Sequence, residues 1–316
     1  MNIVLLEPLG ISGEKLETLS KQLEAQGHSF RAYSELTLDT EELKKRSEGA
    51  EVLMIANHPL PDEVIDACDT LKMVSVAFVG IDHVGTEACS RRNIPVYNTG
   101  GYCDDAVAEL AVGLALDHLR NISKGNDAVQ GGGGKAGLQG NELRGKTVGI
   151  IGTGSIGCRT AEIFRAFGCR LIGYSRSERQ KAKELGIEYR SLPDLMAEAD
   201  IVSVHTPLTP QTRDLIGREE IAVMKPGAIL INTSRGPVVN TEAVAEAIQS
   251  GQIRYGTDVY ENDPPLPEGH SFLGAPNLIC TPHVGFDTVE SIERRADMVF
   301  ENIQTWINGE DKRRVL

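Results

Sequence analysis

A chain of 316 residues, 41% hydrophobic and 24% charged, is long enough for two cores and ordinary for a globular protein. Its formal net charge of −13 argues against nucleic acid as a partner, because phosphate binding needs a basic face, and an anionic ligand must then be met by a local cation. Six scattered cysteines without a CxxC pair fit a reduced, cytoplasmic setting and offer no metal site, and no apolar run reaches membrane-spanning length.

Residues 1–7 are too short and too soon acidic for a signal peptide and read as a first strand over 3–6. Further strands are expected at 52–55 and 73–76, and helices at 14–26, closed by Gly27, and at 40–47. This alternation predicts parallel βαβ units. A helix over 104–119 places Ala106, Leu110, Ala111, Leu114 and His118 on one face. From 124 to 140, around the glycine run 131–134, periodicity is lost and a flexible loop is expected.

A second series begins at Lys146, with strands at 147–151, 170–174, 201–205, 228–231, 253–259 and 278–281. Helices fall at 155–167, closed by Gly168, and between an Asn240-Thr241 cap and Gly251. The last helix, 288–308, aligns Ile292, Ala296, Val299, Ile303 and Trp306. Packing that face back on the N-terminal region closes a discontinuous domain. The expected fold is therefore α/β, two Rossmann-like domains with parallel sheets. Residues 99–285 form a nucleotide-binding domain inserted into a substrate domain of 1–98 plus 286–316.

The turn Gly152-Thr-Gly-Ser-Ile-Gly157 follows an apolar strand and opens a helix, the context that gives GxGxxG its meaning. Gly152 permits the tight turn, Gly154 admits a pyrophosphate to the backbone, and Gly157 lets helix and strand pack closely. Ser155 and Ile156 begin the helix, whose N-terminus faces the phosphates. An NAD site wants an acidic residue at the end of the second strand; Ser175 and Arg176 stand there instead. A hydroxyl and a guanidinium suit a 2′-phosphate, so NADP(H) is expected ahead of NAD(H).

Three later strands each lead into a polar residue with its own chemical use. The first leads to Arg235, the second to an acidic stretch with Glu261 and Asp263, and the third to His283. They make a device for reducing a 2-oxo acid. An imidazole exchanges a proton near neutrality, a carboxylate beside it fixes the ring, and a guanidinium holds the substrate carboxylate and polarises the carbonyl.

The chain resembles the D-isomer-specific 2-hydroxyacid dehydrogenase family, in its glyoxylate and hydroxypyruvate reductase-like form. The resemblance rests on Val79-Gly-Ile-Asp-His-Val84, Asn98-Thr-Gly-Gly-Tyr102, Leu143-Arg-Gly-Lys-Thr147, the glycine turn, His205-Thr-Pro-Leu-Thr209, Ile231-Asn-Thr-Ser-Arg-Gly236, Asp258-Val-Tyr260 and Thr281-Pro-His283. It implies Arg235 as the substrate-orienting arginine, His283 as acid and base, and backbone N–H groups of Val79 and Gly80 for the substrate carboxylate. It also implies Tyr102 near the substrate, Asp258 near the nicotinamide carboxamide, and cofactor contacts at His205, Thr206, Pro207, Thr233, Ser234 and Gly285. A homodimer acting on a small anionic acid such as glyoxylate, hydroxypyruvate or pyruvate is implied as well. Two departures stand out. The family's glutamate position is Asp263 here, with Glu261 as its rival, and the 131–134 glycines replace a Trp-containing segment involved in subunit packing. The alternatives are a dinucleotide-sensing, corepressor-like binding protein and a phosphoglycerate-type dehydrogenase.

Overall fold

Two all-parallel sheets organise the chain, and the computed structural model describes residues 1–316. Residues 1–103 and 287–316 form one unit, and residues 104–286 the other. The partition thus falls at Cys103/Asp104 and Phe286/Asp287, at the start of the helix Asp104–Arg120 and just ahead of the last helix.

The first unit is built on β1 (Asn2–Leu5), β2 (Ser29–Ala32), β3 (Val52–Ile55), β4 (Met73–Val76) and β5 (Val96–Tyr97), in the order β2-β1-β3-β4-β5. β3 and β4 are buried at every residue, as central parallel strands covered on both faces must be. The helix Val289–Ile307 closes this unit. Ala296, Val299, Phe300 and Ile303 share one core with Ile3, Leu5, Val52, Met54 and Met73. Burying each of the larger side chains contributes about 1.5–3 kcal/mol. Polar ties fix the docking: Ser75 Oγ donates to the Val299 carbonyl at 2.8 Å, and Asn302 Nδ2 to the Asn98 carbonyl at 2.9 Å. Thr288 starts the helix by accepting from Ser291 N, and Ser291 Oγ accepts in return from Thr288 N.

The second unit holds β6 (Thr147–Ile151), β7 (Arg170–Tyr174), β8 (Glu188–Tyr189), β9 (Ile201–Val204), β10 (Ala228–Asn232), β11 (Ile253–Thr257) and β12 (Leu278–Cys280). Their order is β12-β11-β10-β9-β6-β7-β8, with every pair parallel. From β6 the chain adds strands first on one side and then, from β9, on the other. That makes β6/β9 the switch point, where the carboxyl ends open a ligand crevice. Separate apolar clusters cover the two faces, one around Leu230, Val244 and Tyr255, the other around Ile150, Phe164 and Leu114.

Three strands escape a reading based on apolar runs. β2 is largely exposed, and β5 and β8 have only two residues each. The expected loop over 124–140 is corrected over its first part, because Ile122–Gln130 is a helix. It buries none of its residues, so it shows no core-facing stripe. Its start is set locally: Asn121 turns the backbone left-handed at φ 52°, and Asp117 accepts from Ser123 N at 2.8 Å. No helix is long and apolar enough to cross a membrane.

Candidate active site

Because all seven strands of the second unit run the same way, the glycine turn and the three polar strand ends lie along one edge of the sheet. The turn at the end of β6 is shaped by its glycines. Gly152 sits at φ 93°, and a Cβ there would come within 2.5 Å of the His205 carbonyl oxygen. A Cβ on Gly157 would overlap the Gly152 carbonyl, whereas one on Gly154 would meet nothing within 4 Å. Gly154 is also the N-cap of Ser155–Ala166 and supplies no side-chain cap, which leaves the first N–H groups of Ser155 and Ile156 to an outside acceptor.

Two buried polar atoms on neighbouring strand ends lack hydrogen-bond partners, His205 Nδ1 and Thr233 Oγ1. Buried polar atoms are seldom left so, and here one follows β9 at the switch point and the other follows its neighbour β10 at the same sheet edge. Burial pushes the His205 imidazole down to about 3, and its Nε2 pairs with Ser203 Oγ at 2.8 Å. Thr206 is half-buried and Pro207 exposed. These features fit a dinucleotide. At the end of β7, Ser175 is half-buried and Arg176 is exposed with no ion pair. Tyr189, from β8, braces this loop: its hydroxyl accepts from Arg179 N at 3.0 Å and contacts Thr153 Oγ1 at 2.8 Å.

His283 lies just past β12, with Nδ1 2.9 Å from Asp263 Oδ2. Asp263, and not Glu261, is the carboxylate against the ring; Glu261 is exposed and makes no ion pair. The His283 backbone is left-handed, φ 58°, a conformation costing an L-residue about 1–2 kcal/mol. Asp258, 1% exposed, holds that turn in place. Its Oδ1 accepts from Thr281 Oγ1 at 2.6 Å and Val284 N at 2.9 Å, and its Oδ2 accepts from Gly285 N at 2.7 Å. A Cβ on Gly285 would stand 2.8 Å from Asp258 Oδ2, so glycine is what permits this approach. The Tyr260 hydroxyl donates to the Thr281 carbonyl at 2.8 Å, and Phe286 meets the His283 ring edge-on at 5.7 Å.

Arg235 follows β10 in a turn stapled by the fully buried Asn232. Asn232 Oδ1 accepts from Ser234 N at 3.1 Å and Ser234 Oγ at 2.9 Å, while its Nδ2 donates to the Arg235 carbonyl at 3.0 Å. A Cβ on Gly236 would overlap the Tyr260 carbonyl, so the turns after β10 and β11 press directly on each other. Asn232, Gly236 and Tyr260 stand inside the motifs that carry the family resemblance but have no reactive chemistry of their own, and Tyr189 stands outside those motifs; the work of all four is to position neighbours.

In the first unit, Val79 and Gly80 follow β4. Asn98 Nδ2 holds the Val79 carbonyl at 2.7 Å, and neither N–H of the pair donates to a protein acceptor. Tyr102 is 1% exposed, beneath the Arg295 guanidinium at 5.9 Å, and burial drives its phenol well above the usual range.

The family model of the NAD-binding domain of D-isomer specific 2-hydroxyacid dehydrogenases matches residues 112–285. The glyoxylate reductase of Aeropyrum pernix is 38% identical over 306 residues, covering 94% of this chain and 90% of its own. The hydroxypyruvate reductase of Thermotoga maritima is 37% identical over 270 residues, covering 84% and 88%. Among solved structures, the TT0316 protein of Thermus thermophilus is 35% identical, with a TM-score of 0.88 over 100% of both chains. The chain belongs to the D-isomer specific 2-hydroxyacid dehydrogenase family. It is an oxidoreductase acting on the CH–OH group of 2-hydroxy acids, with a nicotinamide dinucleotide as cofactor.

Proposed function

We propose that this enzyme reduces small 2-oxo acids, glyoxylate or hydroxypyruvate before pyruvate, to D-2-hydroxy acids, with His283 as the proton donor. The observation that carries the reading is the His283–Asp263 contact, 2.9 Å, at the end of a strand in the same sheet edge as Arg235 and the glycine turn. With Nδ1 on Asp263, Nε2 is the nitrogen that gives its proton to the carbonyl oxygen, and that takes it back in the oxidation direction. Arg235 grips the substrate carboxylate and carbonyl through its fork and stabilises charge developing on that oxygen. The N–H groups of Val79 and Gly80 hold the carboxylate, which makes the first unit the substrate domain and residues 104–286 the cofactor domain. Asp258 keeps the His283 turn rigid.

When bound, the reduced nicotinamide supplies the hydride that C2 receives. Gly152, Gly154, Ser155, Ile156 and Gly157 would hold the pyrophosphate, and His205, Thr206, Pro207, Thr233, Ser234 and Gly285 would line the crevice beside it. Arg176, exposed and without an ion pair, supports NADPH over NADH, since no carboxylate stands there to repel a 2′-phosphate. Two exposed apolar side chains on the helix Ile122–Gln130, Ile122 and Val129, support a homodimer packed through this helix; sedimentation of the purified protein checks it.

Loss of NADPH absorbance with a panel of 2-oxo acids tests the activity. Turnover of glyoxylate or hydroxypyruvate is expected. Dinucleotide binding without turnover would favour a sensor instead, and reduction confined to a phosphorylated substrate would favour the phosphoglycerate type.

A further inference from the structure

An acidic residue buried at the carboxyl edge of the first sheet has no part in the chemistry above. Glu7, just past β1, is 4% exposed. Its Oε1 accepts from Ala56 N at 2.7 Å and from His58 N at 3.3 Å, and its Oε2 contacts His58 Nδ1. An amide oxygen would serve the two backbone donors equally well. Only the contact to the imidazole requires a carboxylate, and a carboxylate there makes Nδ1 the protonated nitrogen and turns Nε2 outward. The His58 side chain is 37% exposed, while Leu6, Leu36, Ile55 and Leu60 form apolar walls of the adjoining pocket.

We propose that His58 reads the substituent on C3 of the substrate, with Glu7 as its positioning residue, and that the preferred substrates are 2-oxo acids bearing a hydroxyl at C3. The inference rests on the carboxylate being held by Val79 and Gly80. β3, which ends three residues before His58, pairs directly with β4, which ends three residues before Val79, and Ile55 and Val76 stand opposite each other in that pairing. The two strand ends are therefore one strand spacing apart, about 4.8 Å, comparable to the span from C1 to a C3 substituent. An aimed neutral ring accepts a hydrogen bond from a hydroxyl, and a protonated one donates to it; a hydroxyl answers both, whereas a methyl group answers neither. A phosphate fares worse, because Glu7 stands behind the ring. The Arg46 guanidinium beside Leu6 is already committed to the Leu6 and Glu35 carbonyls and the Glu42 carboxylate.

The test is the ratio of kcat/KM for hydroxypyruvate to that for glyoxylate, which has no C3, measured in wild type, His58→Leu, His58→Asn and Glu7→Gln. The ratio is expected to fall tenfold or more in His58→Leu, the scale on which a site loses selectivity when a polar contact to substrate goes. It falls several-fold in Glu7→Gln, which keeps the backbone bonds but not the aim of the ring. A Glu7 with a merely structural role would lower both substrates together and leave the ratio alone. An unmoved ratio in folded variants, or faster turnover of 3-phosphohydroxypyruvate than of hydroxypyruvate by wild type, overturns the inference by itself. Wild type that reduces none of these acids overturns the proposed function and this inference with it. Thermal unfolding identifies a variant that has lost its fold, and the half-exposed His58→Asn then provides the reading.

Discussion

The Asp263 carboxylate and the His283 ring meet at 2.9 Å although the carboxylate is 57% exposed and the ring 21%. The pair is therefore an orienting contact in partial solvent, weaker than a buried ion pair would be.

Exchange of Asp263 separates it from its neighbour. Asp263→Asn is expected to lower kcat ten- to a hundredfold, as the ring loses the partner that fixes its tautomer. Glu261→Gln should change it less than twofold. Steady-state kinetics of both variants decide, and the opposite ranking would move the assignment to Glu261.

The glycine turn allows fold and cofactor roles to be told apart. In Gly154→Ala the new methyl meets nothing within 4 Å, at φ −72°, so thermal stability stays close to wild type. Affinity for the dinucleotide, followed by fluorescence titration, should drop tenfold or more because the methyl occupies the pyrophosphate's approach. Gly157→Ala drives a methyl into the Gly152 carbonyl and is expected to destabilise by more than about 2 kcal/mol. Equal effects of the two on stability would contradict this division.

Arg176→Ala addresses cofactor choice. A charge-assisted hydrogen bond is worth about 1.5–3 kcal/mol, so the kcat/KM ratio of NADPH to NADH should fall tenfold or more. A wild-type enzyme that prefers NADH would refute the expectation before any variant is made.

Much of this was legible in the residues, and what was missed has a common cause. Central strands such as β3 and β4 are apolar at every position and announce themselves; β2, at an edge, has only Phe30 turned partly inward. Ile122–Gln130 went unread because it buries nothing. Arg235, His283 and the glycine turn are chemically conspicuous. Asn232 and Glu7 are not, since an asparagine ending a strand and an acid after the first one look like ordinary boundaries until their partners, Ser234 and His58, are brought to them by the fold.

Acid should unfold the protein partly through buried imidazoles. Burial pushes His118 down to about 4 from 6.5, with Nε2 on the Tyr255 carbonyl at 2.8 Å, and His205 down to about 3. Below about 6.5 the unfolded chain takes up these protons and the folded one does not. Stability is thus fully present above about pH 6.5 and is lost as pH falls toward 4, with His118 accounting for at most about 3 kcal/mol. His118→Gln, which keeps a donor for Tyr255, should flatten the decline of Tm between those pH values; an unaltered slope would exclude His118 as a cause.

The left-handed backbone at His283 sets heat resistance against turnover. Asparagine and glycine settle at φ near +58° more readily than an imidazole-bearing residue does, and the exposed contact with Asp263 returns little stability. His283→Asn should therefore melt at or above the wild-type temperature while turning over nothing. Selection of this protein for thermal endurance alone would drift toward inert molecules, and only a screen that counts product would keep the imidazole in place.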